Sequence, residues 1–228
     1  IVWNFNGKRI YVYSEDCLMN TDREKKYSVT KSGRHFILHI KDVTLEDGGT
    51  YTCSTDTDEK LANLLVYGAP SVMFDPPNPI ENETAVYQCV AKFEGQRKDE
   101  IPKDHLPYLR MFYTHDPNQE LPAVEKSDSK RNIFIKEYKT AINATMHGLE
   151  LGCKLGNINF NMNVTTFAAL DILYAPRKIT FEPIFKTYIV GMEITCTADG
   201  NPAPYIQWRD ITGKERQGEA LTITEDMI

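Results

Sequence analysis

The sequence predicts an all-β chain built as a tandem array of small antiparallel sandwiches. Three observations carry that expectation. Short runs that alternate apolar and polar residues recur between turn signals spaced about 8 to 15 residues apart, with no long, well-capped helical period. The five cysteines, at 17, 53, 89, 153 and 196, are widely spaced and form no C-x-x-C pair. That argues against a zinc ribbon or thioredoxin-like site and suits one disulfide per small domain. Two proline-bearing segments, Tyr67-Gly68-Ala69-Pro70 and Tyr174-Ala175-Pro176, each follow one strand-like run and precede another. Proline there removes a backbone donor and stiffens the join, as in a near-rigid linker.

The elements follow in order. Val2-Trp3-Asn4-Phe5 and Arg9-Ile10-Tyr11-Val12-Tyr13 flank Asn6-Gly7, which predicts a tight hairpin with positive φ at both turn residues. Strict alternation in the second run puts Ile10 and Val12 toward the core and Arg9, Tyr11 and Tyr13 outward. Residues 34–40 place Phe36, Leu38 and Ile40 on one face, with His35 and His39 together on the solvent side. Residues 84–91 are rich in β-formers and put Val86 opposite Cys89. Residues 192–198 put Met192, Ile194, Cys196 and Ala198 together.

Composition narrows the function classes. The chain has 228 residues, 41% hydrophobic and 25% charged, ordinary for a globular protein. A net charge of −6 argues against nucleic acid as a partner. No apolar run approaches the roughly 18 residues of a membrane helix, so no membrane contact is expected within this segment. Any anchor is expected outside it. Three N-glycosylation acceptors stand at Asn82, Asn143 and Asn163, each followed two residues on by threonine. Together with the wide cysteines they point to an oxidising, extracellular compartment.

The motif that names a family is Asp47-Gly48-Gly49-Thr50-Tyr51-Thr52-Cys53. It resembles the D-x-G-x-Y-x-C signature of strand F in immunoglobulin domains, where the tyrosine two residues before the cysteine folds its hydroxyl back onto the backbone. Leu38-x-Ile40-x-x-Val43 has the spacing of the preceding strand E, and Trp3 sits where a strand C tryptophan would pack. A second match runs from Cys196 to Trp208 through Gly200-Asn201-Pro202-Ala203-Pro204, like the B-to-C passage of an I-set domain, with Leu221-x-Ile223 as strand E. The resemblance to the immunoglobulin superfamily implies tandem immunoglobulin-like β-sandwiches. The expected domains are 1–69, of V or I type and lacking strands A and B; 70–174, divergent; and 175–228, the first half of an I-set domain. The first and last are expected to be truncated pieces of a longer protein. The resemblance further implies a disulfide between Cys89 and Cys153, and partners outside this sequence for Cys53 and Cys196. In the middle domain the expected tryptophan is absent, with Leu109, Met111 and Phe112 as candidates to replace it, and Leu151 holds the tyrosine-corner position. For Cys17 three assignments stay open: a partner upstream of this sequence, Cys53, or a free thiol.

Chemistry is not expected. There is no G-x-S-x-G elbow, phosphate loop or H-E-x-x-H, so no catalytic residue, cofactor or metal site is assigned. His35 and His39 lack a third ligand nearby, and Asp56-Thr57-Asp58-Glu59 lacks the glycine and spacing of an EF-hand loop. Arrays of this kind resemble the ectodomains of cell-adhesion and cell-recognition receptors, nectin-like or nephrin-like. The resemblance implies a protein ligand, homophilic or heterophilic, on another cell or in the matrix. The expected binding surface is Asn4, Arg9, Tyr11 and Tyr13 on the first domain, which carries no glycan acceptor. The alternative is a secreted immune recognition protein that captures microbial or carbohydrate ligands.

Overall fold

Strands are the main element of the described residues. The computed structural model describes residues 1–13, 18–20, 26–126, 132–210 and 212–227, with the backbone alone for residues 13, 18–20 and 226. Among the described residues the helical pieces are 3₁₀ turns of three residues each. The chain divides into two compact units. The first holds residues 1–73, 86–139 and 150–168; the second holds 74–85, 140–149 and 169–228.

The first unit opens with β1 (Val2–Phe5), β2 (Lys8–Tyr13), β3 (Leu18–Asn20), β4 (Tyr27–Ser32), β5 (His35–Ile40), β6 (Gly49–Ser54) and β7 (Glu59–Leu64). They form a five-stranded sheet, order β3-β2-β1-β6-β7, and a separate β4–β5 hairpin. The β1–β2 turn is the one that Asn6-Gly7 predicts, with φ 48° and 76°. In β5 the burial alternates strictly, so Phe36, Leu38 and Ile40 are the covered residues. The core is built on Ile10, Tyr27 and Tyr51, with Trp3, Phe5, Leu38, Ile40 and Leu64 packed against it. Trp3 lies directly across from Cys53 in the β1–β6 ladder.

Then come β8 (Val66–Tyr67), β9 (Ser71–Asp75), β10 (Thr84–Glu94), β11 (Tyr108–Tyr113), β12 (Val124–Glu125), β13 (Ile133–Ala141), β14 (Glu150–Asn157) and β15 (Met162–Ala169). One sheet runs β12-β13-β10-β8, with β9 also on β10; the other runs β11-β14-β15. Cys89 of β10 and Cys153 of β14 form the disulfide, with Cα atoms 5.5 Å apart. No tryptophan covers it. Met111 pairs with Cys153 and is fully buried, with buried Leu109 two residues before it. Phe112 has the other orientation: it pairs with Gly152, and its ring lies where a side chain at 152 would stand, within 2.6 Å of an added Cβ. Leu151, at the tyrosine-corner position, is fully buried.

The second unit contains β16 (Tyr174–Glu182), β17 (Glu193–Asn201), β18 (Gln207–Arg209), β19 (Glu215–Gln217) and β20 (Ala220–Thr222). They form a three-stranded sheet, β16-β17-β20, and a β18–β19 hairpin. Trp208 of β18 donates its indole N–H to the Gly218 carbonyl at 2.9 Å. Tyr174-Ala175-Pro176 is not a separate linker here. It is the start of β16, whose ladder with β17 already begins at Tyr174 opposite Asn201. β16 is an edge strand and its register shifts between Tyr174 and Arg177, so the missing N–H of Pro176 costs no ladder bond.

Candidate protein-binding face

The strand F motif fixes the first sandwich from within. Thr44, Asp47 and Tyr51 build the corner that leads into β6. The Tyr51 hydroxyl donates to the Asp47 carbonyl at 2.9 Å. The buried Asp47 carboxylate accepts from the Thr44 backbone N–H at 2.7 Å and the Thr44 hydroxyl at 3.2 Å, and pairs with Lys26 at 2.7 Å. Burial alone would push the Asp47 carboxyl up, but Lys26 and the two Thr44 bonds outweigh it and hold it below its ordinary value. The corner thereby sets the phase of β6. Gly49, Tyr51 and Cys53 turn inward, and Thr50, Thr52 and Ser54 turn to the outer face.

Directly opposed residues on antiparallel strands share a face. Asn4 opposes Thr52 on one side and Arg9 on the other, and Thr52 opposes Leu61 of β7. Arg9, Asn4, Thr52 and Leu61 therefore form one row across four strands on the outer face. Arg9 is exposed, and Leu61 is 67% exposed. The Asn4 amide donates to the Thr52 hydroxyl at 3.2 Å. Beside the row, Thr50 donates to Asn63 at 2.8 Å, and the Asn6 side chain accepts from the Thr50 N–H at 2.9 Å.

Tyr11 is not on this face. Its exposure is 9%, and its neighbour Ile10 is buried as well at 5%. The cause is a shift in the β1–β2 ladder. Asn4 opposes Arg9, but Trp3 opposes Tyr11, so Ile10 is an extra residue between the two pairs. A β-bulge of this kind resets the alternation. Before it, Arg9 shares the outward face of Asn4; after it, Tyr11 shares the inward face of Trp3. The outward reading of Tyr11 is corrected accordingly. The side chain of Tyr13 lies outside the described residues.

The remaining candidate positions fall as follows. Among the described residues Cys53 and Cys196 form no disulfide, and each is partly buried; burial pushes the Cys53 thiol up. Cys17 lies outside the described residues. His35 and His39 are exposed, with the His39 ring 2.8 Å from the Thr30 hydroxyl. Asp58 sits in the β6–β7 turn, where its backbone N–H reaches the Thr55 hydroxyl at 3.1 Å. Among the described residues no group of three or more His, Cys, Asp or Glu converges to hold a metal ion, and no helix is long and apolar enough to cross a membrane. All three glycan acceptors are exposed. Asn82 has φ 70°, Asn143 accepts the Thr145 N–H at 2.9 Å, and Asn163 stands on β15.

Thr52, Leu61 and Asn63 were not legible as face residues from their own segments, because residues 59–64 show no clear alternation in the sequence. The signal lies in strand F. Tyr51 and Cys53 must point inward, so Thr50 and Thr52 point outward, and whatever pairs with them follows.

Comparison with known proteins agrees with this geometry. The immunoglobulin V-set domain family matches residues 3–64. The crystal structure of the full three-domain ectodomain of mouse nectin-like molecule 4 superposes with a TM-score of 0.52 at 18% identity, covering 90% of this chain and 73% of that one. Weaker likenesses are to a structure described as Rst D1-D2, with TM-score 0.40, 13% identity and coverage of 75% and 84%, and to a marsupial T cell receptor, with TM-score 0.29, 12% identity and coverage of 74% and 84%. Residues 3–64 thus match the immunoglobulin V-set domain family, and the fold of the chain is that of tandem immunoglobulin-like sandwiches.

Proposed function

We propose that the chain is part of an extracellular recognition or adhesion protein that binds a protein partner through the outer face of its V-set sheet. The carrying observation is the row Arg9–Asn4–Thr52–Leu61, which presents a cation, hydrogen-bonding groups and a 67%-exposed leucine in one line across four strands. An exposed large apolar residue in a polar frame is the composition of an interface centre with its rim. The three glycan acceptors all lie beyond residue 81, so the V-set sheet itself carries no sugar attachment site. The partner, homophilic or heterophilic, sits on another cell or in the matrix, and binding involves no chemistry. The likeness to a nectin-like ectodomain supports the tandem arrangement, and the adhesive role is our reading of the exposed face.

The test is cell aggregation or direct binding with full-length protein carrying Leu61→Asp, alone and with Arg9→Ala. A charge placed at an interface centre should weaken binding at least about thirtyfold, the scale of a hot-spot loss. Leu61 is solvent-exposed, so folding should be unaffected within about 0.5 kcal/mol. Full binding by the folded double variant would move the site off this face.

A further inference from the structure

We propose that the groove on the outer face of β11-β14-β15 is the seat of the chain's own N-linked glycan, attached at Asn163. This rests on the extracellular reading above. The groove has a volume of about 630 Å³ and is lined by Arg110, Phe112, Lys154, Asn163, Thr165 and Phe167, among others. The glycan acceptor and its threonine are therefore part of the groove wall. Asn163, Thr165 and Phe167 alternate along β15 and stand on one face. Phe167 is 52% exposed and meets Phe112 edge-on, with ring centroids 6.5 Å apart. Phe112 lies low because Gly152 beneath it has no side chain. Arg110 stacks over the Phe112 ring at 5.7 Å while its guanidinium donates to the Pro117 and Asn118 carbonyls.

That combination fits a sugar better than a peptide. A pyranose ring has a C–H face that sits on the electron-rich face of an aromatic ring. Its edge carries hydroxyl and acetamido groups that suit charged donors such as Lys154. The occupant is specified by the tether. In the modification, the Asn163 side-chain nitrogen forms a bond to the anomeric carbon of a lipid-diphosphate oligosaccharide. The carbon–oxygen bond to the diphosphate breaks, and the amide gives up one proton. The first sugars are then held beside Phe167 at the high effective concentration of an intramolecular ligand. The glycan covers this sheet, so the second sandwich presents sugar where the first presents protein.

The experiment uses the full chain secreted from glycosylating cells. Mass spectrometry reads occupancy at Asn82, Asn143 and Asn163, and a peptide-N-glycan amidase then releases the glycans from the native protein. The expected result is occupancy at Asn163 and slow release there. Phe167→Ala should speed release about tenfold, the upper worth of one ring contact, and leave release at Asn82 and Asn143 unchanged. Phe167→Tyr, which keeps the ring, should retain slow release. Occupancy at Asn82 or Asn143 with none at Asn163 overturns the seat and leaves the extracellular reading standing. No occupancy anywhere overturns both. Occupancy at Asn163 with equal release from wild type and Phe167→Ala also overturns it, as does loss of partner binding in Phe167→Ala on a chain unmodified at Asn163.

Discussion

Asp47 shows how one residue of a motif carries both fold and pH response. Its carbonyl receives the Tyr51 hydroxyl, and its carboxylate holds Lys26 and Thr44. The carboxyl titrates lower in the folded chain than in the unfolded one. Its contribution is therefore complete above the unfolded value, near pH 4, and is lost as pH falls through the folded value. The V-set sandwich should hold constant stability near neutrality and weaken below about pH 4. Asp47→Asn removes the ion pair and should cost about 1–3 kcal/mol at pH 7, with a shallower loss on acidification. Denaturant midpoints of both chains from pH 7 to pH 3 check this. Parallel pH curves would show that Asp47 is not the titrating group. The motif made Asp47 and Tyr51 visible in the sequence. Lys26 was not, because its partner lies 21 residues further on and nothing local marks it.

At the scale of elements, alternation reads correctly where a strand is regular and fails where it is not. In β5 the apolar positions named by period two are the covered ones, and in β17 Ile194 is the buried residue while Cys196 and Ala198 are no more covered than Thr195. In β2 the same rule holds up to Arg9 and inverts at Tyr11, because the ladder accommodates Ile10 as an extra residue. No residue type in Arg9-Ile10-Tyr11 announces a bulge, so only pairing with β1 reveals it. Residues 174–176 were misread for a related reason: proline reads as a break, yet an edge strand tolerates it. A junction in the first unit depends on a glycine that no motif predicts. Gly95, at the end of β10, has φ 119°, and a Cβ there would stand 2.1 Å from the Leu64 carbonyl oxygen at the end of β7. Gly95→Ala must shift one backbone or the other and should cost at least about 2 kcal/mol. Differential hydrogen exchange should show the loss at residues 64–68 and 92–95. An unchanged stability would mean that the two segments part without cost.

Across the whole molecule, the tandem plan was legible because cysteines and prolines recur at wide spacings, with a strand F motif near one end and a B-to-C passage near the other. The divergent second sandwich was legible only in outline. Its core uses Met111 in place of a tryptophan, and the polarity of neighbouring residues does not say which of Leu109, Met111 and Phe112 faces in. The second unit supplies a polar network that composition also hides. Asn201, at the end of β17, donates its amide to the Asp171 carboxylate at 2.7 Å and to the Ile172 carbonyl at 2.8 Å. Arg177 bridges Glu81 at 3.3 Å and Asp199 at 3.4 Å, with its guanidinium over the Tyr174 ring at 4.7 Å. The ion pairs are partly exposed, and each contributes at most about 1 kcal/mol. The amide is different, since it serves two acceptors, one of them the carbonyl of a fully buried residue, and an unpartnered carbonyl costs about 1–3 kcal/mol. The network therefore turns on Asn201 more than on Arg177, although charge alone would rank them the other way. Asn201→Ala should raise hydrogen exchange across residues 171–177 by about tenfold or more, and Arg177→Ala by less than about fivefold. Exchange measured on both variants at fixed pH decides the order. A larger effect from Arg177→Ala would place the restraint in the ion pairs, and the exchange of that segment should then depend on salt.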